Sequence, residues 1–294
     1  MRHLPSRSAV LAVLLMLALP GLAHAQGKGR GLGRGKRPNV PQERTPGAAP
    51  IPGTGLRQFG VWLDDASVPP KGKGWATFGV GYWRSTFAHQ WDAPSFDGGL
   101  ALSPRVQIGV TAPVSRVRYT DGSSASGLGD VYVATKIGLV DPTAKGRSFG
   151  IAVAPLLEVL GSSSVPEGGG RVHWGLPVTF ERRFEGFRAY GSVGYFSRGA
   201  AFASGALEVA VNEKLTVTGA VTHARSLHAD PLSDALQLAP TRWDVAGTGA
   251  YVLTPSATLY GSVGRTVSRL DENASSLAVS AGVSLGFQRP TLHP

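Results

Sequence analysis

The 294-residue chain contains no cysteine. That absence excludes disulfides, thiolate metal sites and a cysteine-linked lipid anchor. Long apolar runs are equally scarce. A helix crossing a bilayer needs about 20 consecutive apolar residues, and the one candidate, Ala9 to Leu19, is too short. It follows Arg2 and Arg7 and precedes Pro20-Gly21 and Ala23-His24-Ala25. A charged start, a short apolar stretch and a small-residue site make up a cleaved signal peptide, so residues 1–25 are expected to be removed from an exported chain. No HxH or HExxH spacing and no glycine-rich phosphate loop occurs. The sequence therefore offers no metal or nucleotide site, and no cofactor is expected.

Acidic residues are few, and the formal charge of +10 is unevenly spread. Between residues 26 and 56, Lys28, Arg30, Arg34, Lys36, Arg37 and Arg44 face Glu43 alone, in a background of glycine and proline. Such a stretch cannot bury enough apolar surface to offset the entropy of ordering, so a disordered periplasmic tail is expected over residues 26–72. Within it, Leu56 to Ala66 is open to three readings: an additional strand, a plug piece or a periplasmic strap. Basic glycine-rich segments can bind phosphates. The basic stretch over residues 26–56 has no aromatic residue for base stacking, and an exported chain meets little nucleic acid, so nucleic acid is not an expected partner.

What the chain does have, after Lys73, is alternation. From Arg171 to Phe184, Val172, Trp174, Leu176, Val178 and Phe180 form one series and Arg171, His173, Gly175, Thr179, Glu181 and Arg183 the other. Successive strand side chains point to opposite faces, so one face is apolar and the other charged. A soluble sandwich would bury the apolar face; a membrane barrel turns it to lipid and lines its lumen with the other. The pattern predicts twelve strands, near 74–86, 94–102, 105–118, 128–140, 148–160, 171–184, 187–197, 205–211, 215–225, 241–253, 257–267 and 276–287. Their connections are expected to alternate between short ones, such as Ser103-Pro104 and Glu185-Gly186, and longer ones, such as Phe87 to Ala93, Arg198 to Ser204 and Ser226 to Pro240. Short periplasmic turns and long extracellular loops alternate in this way in outer-membrane barrels, whereas Greek-key sandwiches have no reason to. The expected fold is an all-β antiparallel transmembrane barrel over residues 73–288, with both termini periplasmic and 289–294 a short tail. Trp75, Tyr82, Trp83, Tyr119, Phe149, Trp174, Phe184, Tyr195, Trp243, Tyr251 and Phe287 fall near strand ends, where aromatic girdles sit.

The stretch SGLGDVYVATKIGLV (Ser126 to Val140), with GIAVAPLLEVL after it, resembles the outer-membrane transporter family of the meta-cleavage pathway of phenol degradation. Gly127, Leu128, Gly129, Asp130 and Lys136 match its Gly-Leu-Gly-Asp strand and downstream lysine. Where that family carries Leu-Pro-Thr-Gly, this chain has Leu160-Gly161-Ser162-Ser163. The preceding LALSPRVQIGVTAPV also resembles the family's strand pair, and the likeness spans residues 74 to 287. It implies a membrane barrel passing small, often aromatic, molecules.

Strand parity predicts an inward set of Asp130, Tyr132, Lys136, Glu158, Arg171, His173, Glu181, Arg183, Arg188, Tyr190, Glu208, Arg242 and Asp244. Arg265, which shares the parity of Leu259 and Val263, is an exception to the rule, at a strand end where its head can snorkel to the interface. Mixed charge on the inward face suits a channel that filters small solutes by bore and electrostatics. The same charges, paired with one another, also suit a closed barrel of purely structural use. A lipid-modifying barrel enzyme is the third reading; it would need an oriented base, and His223, outward and without a carboxylate of matching parity, does not supply one. Expected partners are outer-membrane lipid and a small solute; the sequence does not fix the oligomeric state.

Overall fold

A computed structural model describes residues 63–142, 148–162, 171–197, 199–227, 239–270 and 274–288. The expected signal peptide, the tail up to Trp62 and the segment after Gln288 lie outside the described residues. The rest forms twelve antiparallel strands. They are β1 (Lys73–Arg84), β2 (Ala88–Ser103), β3 (Val106–Tyr119), β4 in two segments (Ser124–Leu128 and Val131–Val140) and β5 in two segments (Phe149–Val153 and Leu156–Val159). There follow β6 (Val172–Phe184), β7 (Phe187–Phe196), β8 (Ala200–Ala210), β9 (Leu215–Ser226), β10 (Thr241–Thr254), β11 (Ala257–Thr266) and β12 (Leu277–Gln288). Each strand pairs with its sequence neighbours, and β12 pairs with β1 from Gln288 opposite Lys73 to Leu277 opposite Arg84. That last ladder leaves no free edge and closes the sheet into a barrel.

The alternation in sequence becomes an inside-out polarity. On β6, Val172, Trp174, Leu176 and Phe180 face outward and are exposed, while Thr179 and Glu181 between them are buried inside. On β4 and β5, Val133, Ile137 and Leu157 are outside and Tyr132, Lys136 and Glu158 inside. An exposed apolar belt around a polar interior is a lipid-facing barrel wall. Aromatic pairs mark both rims of the belt. Tyr82 with Trp91 and Trp174 with Tyr195 lie at one end, and Phe184 stacked on Phe187 at the end where the described chain starts and finishes. Outward arginines sit near strand ends: besides Arg265, they include Arg118, Arg182 and Arg225. Arg182 lies 5.2 Å over the Phe184 ring. There long side chains reach the headgroup level without placing charge in hydrocarbon.

Four expectations are corrected. First, β2 begins at Ala88 and β8 at Ala200, so the supposed long loops Phe87 to Ala93 and Arg198 to Ser204 are largely strand, and the alternation of connection lengths is only partial. Pro94, at the start of the expected strand 94–102, is accommodated inside β2 where the β2–β3 register shifts between Asp92 and Ser95; a bulge frees a proline from the ladder. Second, β4 and β5 are each broken. Pro155 has no N–H to give the ladder and interrupts β5, while β4 bends at Gly129-Asp130, where the Gly129 N–H bonds to the Pro113 carbonyl at 2.8 Å. Third, Trp75 belongs to the interior. Its indole lies over Gly99, where any Cβ would collide with the ring, and its N–H donates to Asp97 at 2.8 Å. Fourth, the chain from Leu63 to Gly72, placed in the tail by its composition, follows a defined path with Leu63, Asp65 and Ala66 buried.

Candidate functional site: the barrel lumen

The lumen is built from the inward residues of the strands and from one insertion. Leu63 to Val68 precedes β1 and lies inside the barrel, joining no strand ladder. Leu63 packs with Tyr190 and Ala206, and the Asp64 N–H bonds to the Ser192 hydroxyl at 3.1 Å. Of the three readings of this stretch, a plug piece describes residues 63–66 best; Leu56 to Trp62 lie outside the described residues.

The insertion brings two adjacent carboxylates to wall cations. Lys136 Nζ, 2% exposed, donates to Asp64 at 2.8 Å and to Asp65 at 3.2 Å. Arg188 reaches Asp65 at 2.7 Å with Nη1 and holds Glu208 with its two other nitrogens. Glu181 accepts from Ser67 Oγ at 2.6 Å and from Arg183 Nε at 2.7 Å. Three cations thus face four carboxylates. That surplus of negative charge, in a buried place, favours a proton on one of them. Burial, with the Asp65 charge adding to it against the pull of Lys136, raises the Asp64 carboxyl from 3.8 to about 6. Asp65 is the more deeply buried of the two, yet Lys136 and Arg188 outweigh that burial and hold its carboxyl below the usual range.

Thus Lys136, Glu181, Arg183, Arg188 and Glu208, expected on the inward face from parity alone, meet in one network at the end where β1 begins. Tyr190 lies beside it, its ring 4.9 Å under the Arg188 guanidinium. A second group lies towards the opposite end. Tyr132 donates to Glu158 at 2.6 Å, Asp130 accepts from the Gly161 N–H at 3.1 Å, and Arg171 donates to the Gly161 carbonyl at 3.4 Å. His173 stands opposite Glu158 in the β5–β6 ladder. Arg242 and Asp244 pair at 2.9 Å, with Thr266 donating to Asp244 at 2.6 Å. The Gly-Leu-Gly-Asp motif therefore forms the bend in β4 and uses Asp130 to bind the connection after β5.

Sequence reasoning missed Asp64, Asp65 and Ser67, and also Trp75, Asp97, Gln107 and Thr111. The last four, with Asp64, Tyr132 and Lys136, line a small cavity of about 40 Å³ beside the insertion. Thr111 donates to Asp97 at 3.1 Å, and the buried Oε1 of Gln107 has no hydrogen-bond partner among the described residues. Parity would have found the Trp75 orientation, since Thr77 two residues on is also buried and Phe78 and Val80 are exposed. On the outer wall the His223 ring packs, tilted, against Trp243 with centroids 4.2 Å apart, the setting of an interfacial anchor. Among the described residues no group of three His, Asp or Glu side chains is arranged to hold a metal ion.

No protein-family model matches the sequence, and no curated protein matches it. Solved structures do share the fold. The COG4313 outer membrane channel from Pseudomonas putida F1 superposes with a TM-score of 0.57 at 13% identity, over 76% of this chain and 98% of that one. The NanC porin superposes with a TM-score of 0.52 at 11% identity, over 71% of this chain and 98% of that one. Both are outer-membrane barrels, and at these identities the likeness is one of fold: this chain has the porin-like barrel architecture of the bacterial outer membrane.

Proposed function

We propose that the chain is a passive channel for small solutes in the bacterial outer membrane, with both termini periplasmic and no catalytic step of its own. The observation that carries this reading is how the interior is filled. A barrel with only a structural task can pack its lumen with apolar and small side chains. Here the interior is lined with ion pairs, and part of its bore is taken up by a short, separately tethered segment held by charge. Charged linings raise the local concentration of counter-ions and filter by sign and size. The likeness in fold to the COG4313 channel and the NanC porin supports the same reading. For the aromatic solutes that the sequence resemblance implies, the support is narrower: Trp75, Tyr132 and Leu156 give one cavity wall an apolar surface.

One observation favours the rival, a closed structural barrel: Lys136, Arg183 and Arg188 are all paired with carboxylates. Planar-bilayer recordings of the purified full chain separate the two. A channel gives stepwise conductance, and its loss by gene deletion slows uptake of small polar solutes. Absence of conductance at any voltage, with uptake unchanged by deletion, would establish the structural barrel instead.

A further inference from the structure

The inserted segment is held in the way a ligand is held. It adds no strand to the wall, and its backbone meets the wall through the Ser192 hydroxyl, which bonds both the N–H and the carbonyl of Asp64, and through Lys136 at the Ser67 carbonyl. Its side chains hold on through the Ser67 hydroxyl, which donates to Glu181 and accepts from Arg183, and through charge. Two carboxylates one residue apart converge on the single ammonium of Lys136, and one of them extends to Arg188. We propose that Asp64 and Asp65 occupy a wall site for a small solute bearing two closely spaced carboxylates, and that such a solute exchanges with the segment. This rests on the channel reading and names the solute class that would pass.

The reason for exchange, rather than spontaneous opening, is electrostatic. If the segment left alone, Arg183 and Arg188 would keep Glu181 and Glu208, whereas Lys136 would lose both of its carboxylates. Removing one side of a buried ion pair strands the other, which strongly disfavours departure into an empty lumen. An incoming dicarboxylate supplies the same two charges and removes that obstacle. The small cavity beside the segment borders the same charged groups. Lys136 and Asp64 line it, and the unpartnered Gln107 Oε1 offers an acceptor to a hydroxyl or amide on the same solute. The nearest acid there, Asp97, is engaged by Trp75 and Thr111. Pro69 and Pro70 join the segment to β1 at Lys73, so a released segment stays close. A tethered competitor acts at an effective concentration on the order of millimolar, and a displacing solute must match that.

The absence of cysteine allows a direct test on the full chain in detergent. Ala66 is 1% exposed while the segment is seated, so an Ala66→Cys thiol reports release through its rate of labelling by a water-soluble maleimide. Succinate at about ten times the millimolar effective concentration is expected to accelerate labelling by about threefold or more. Succinamide, of the same size without charge, and sodium chloride at matched ionic strength are expected to leave the rate unchanged. Lys136→Gln should abolish the succinate effect. A second readout avoids dependence on one variant: Leu63→Cys with Ala206→Cys, two positions that pack together, should cross-link more slowly in succinate. Labelling and cross-linking rates indifferent to succinate, or equally sensitive to salt, overturn the proposal. Conductance of the same protein judges the channel reading separately: a conducting barrel with succinate-insensitive labelling sinks only this inference, and a non-conducting barrel with succinate-sensitive labelling sinks only the channel.

Discussion

Arg188 grips Glu208 through two parallel hydrogen bonds, Nε to Oε1 at 2.7 Å and Nη2 to Oε2 at 2.9 Å, leaving its third nitrogen for Asp65 at 2.7 Å. The two residues stand opposite one another in the β7–β8 ladder. Wall and insertion therefore share one guanidinium, whose planar fork is suited to two-point contact with a carboxylate.

Replacing that fork should be costly. Arg188→Ala leaves Glu208, Asp65 and Glu181 without their common cation, and the expected loss of stability is about 3–5 kcal/mol, as for removal of one member of a buried ion pair. Arg188→Lys should recover only part of it, since an ammonium cannot reproduce the parallel bonds. Urea unfolding in lipid vesicles, followed by the heat-modifiable gel shift, measures both; equal stability of Arg188→Lys and the wild type would contradict the fork argument.

The outer wall gives the opposite kind of prediction. Val133 stands opposite Leu157 in the β4–β5 ladder, and both side chains are exposed on the outside. Val133→Arg should cost about 2–4 kcal/mol for folding into a bilayer, as charge at the lipid midplane does. The same substitution in a detergent with a thin, mobile apolar shell should cost less. A cost independent of the surrounding lipid would mean that this face does not meet hydrocarbon.

This polarity was readable in the sequence because lipid and lumen impose opposite demands every second residue. The inward placement of Glu158, Glu181 and Asp244 followed from parity without any knowledge of their partners. Loop lengths were harder to read. His89, Gln90 and Trp91 look like loop next to Pro94 until the β3 register, which no local signal specifies, extends the strand through them. The insertion was the least visible. Leu63-Asp64-Asp65-Ala66 has no period and no local cation; its partners Lys136, Arg188 and Ser192 lie far along the chain, so only the closed barrel brings them together. The one available hint was an adjacent acidic pair at the end of a basic tail, directly before Pro69-Pro70.

The raised Asp64 carboxyl predicts a pH response with a definite sign. Seated, it titrates at about 6; released, near its ordinary 3.8. Between those values the seated segment holds a proton that the released one does not, so seating strengthens as pH falls through 6 and weakens as pH rises through it. Lys136, Asp65, Arg188 and Asp97 are the charged groups around it, and Asp65, held low, opposes the trend only in stronger acid. Conductance of the full chain should therefore be lower at pH 5 than at pH 7.5. Asp64→Asn, a permanent stand-in for the protonated acid, should remove the step; a conductance that increases in acid would contradict it.

Ion preference should follow the cations that remain open to solvent. Arg183 keeps a 40% exposed side chain while bonded to Glu181, and Arg171 is exposed at the opposite end of the lumen. Arg171→Gln and Arg183→Gln each remove positive potential from a different mouth of the bore, so each should shift the reversal potential in a salt gradient towards cation preference, and together they should shift it further. The carboxylates do not offer the mirror-image experiment in so simple a form. Glu158 is fully buried against Tyr132 and Asp130 anchors the Gly161 backbone, so neutralising either alters the wall as well as the field. A shift towards anion preference is still expected from Glu158→Gln, accompanied by lower thermal stability, whereas the arginine variants should keep wild-type stability. Arginine variants that lose stability without any change in reversal potential would assign those side chains to the wall alone.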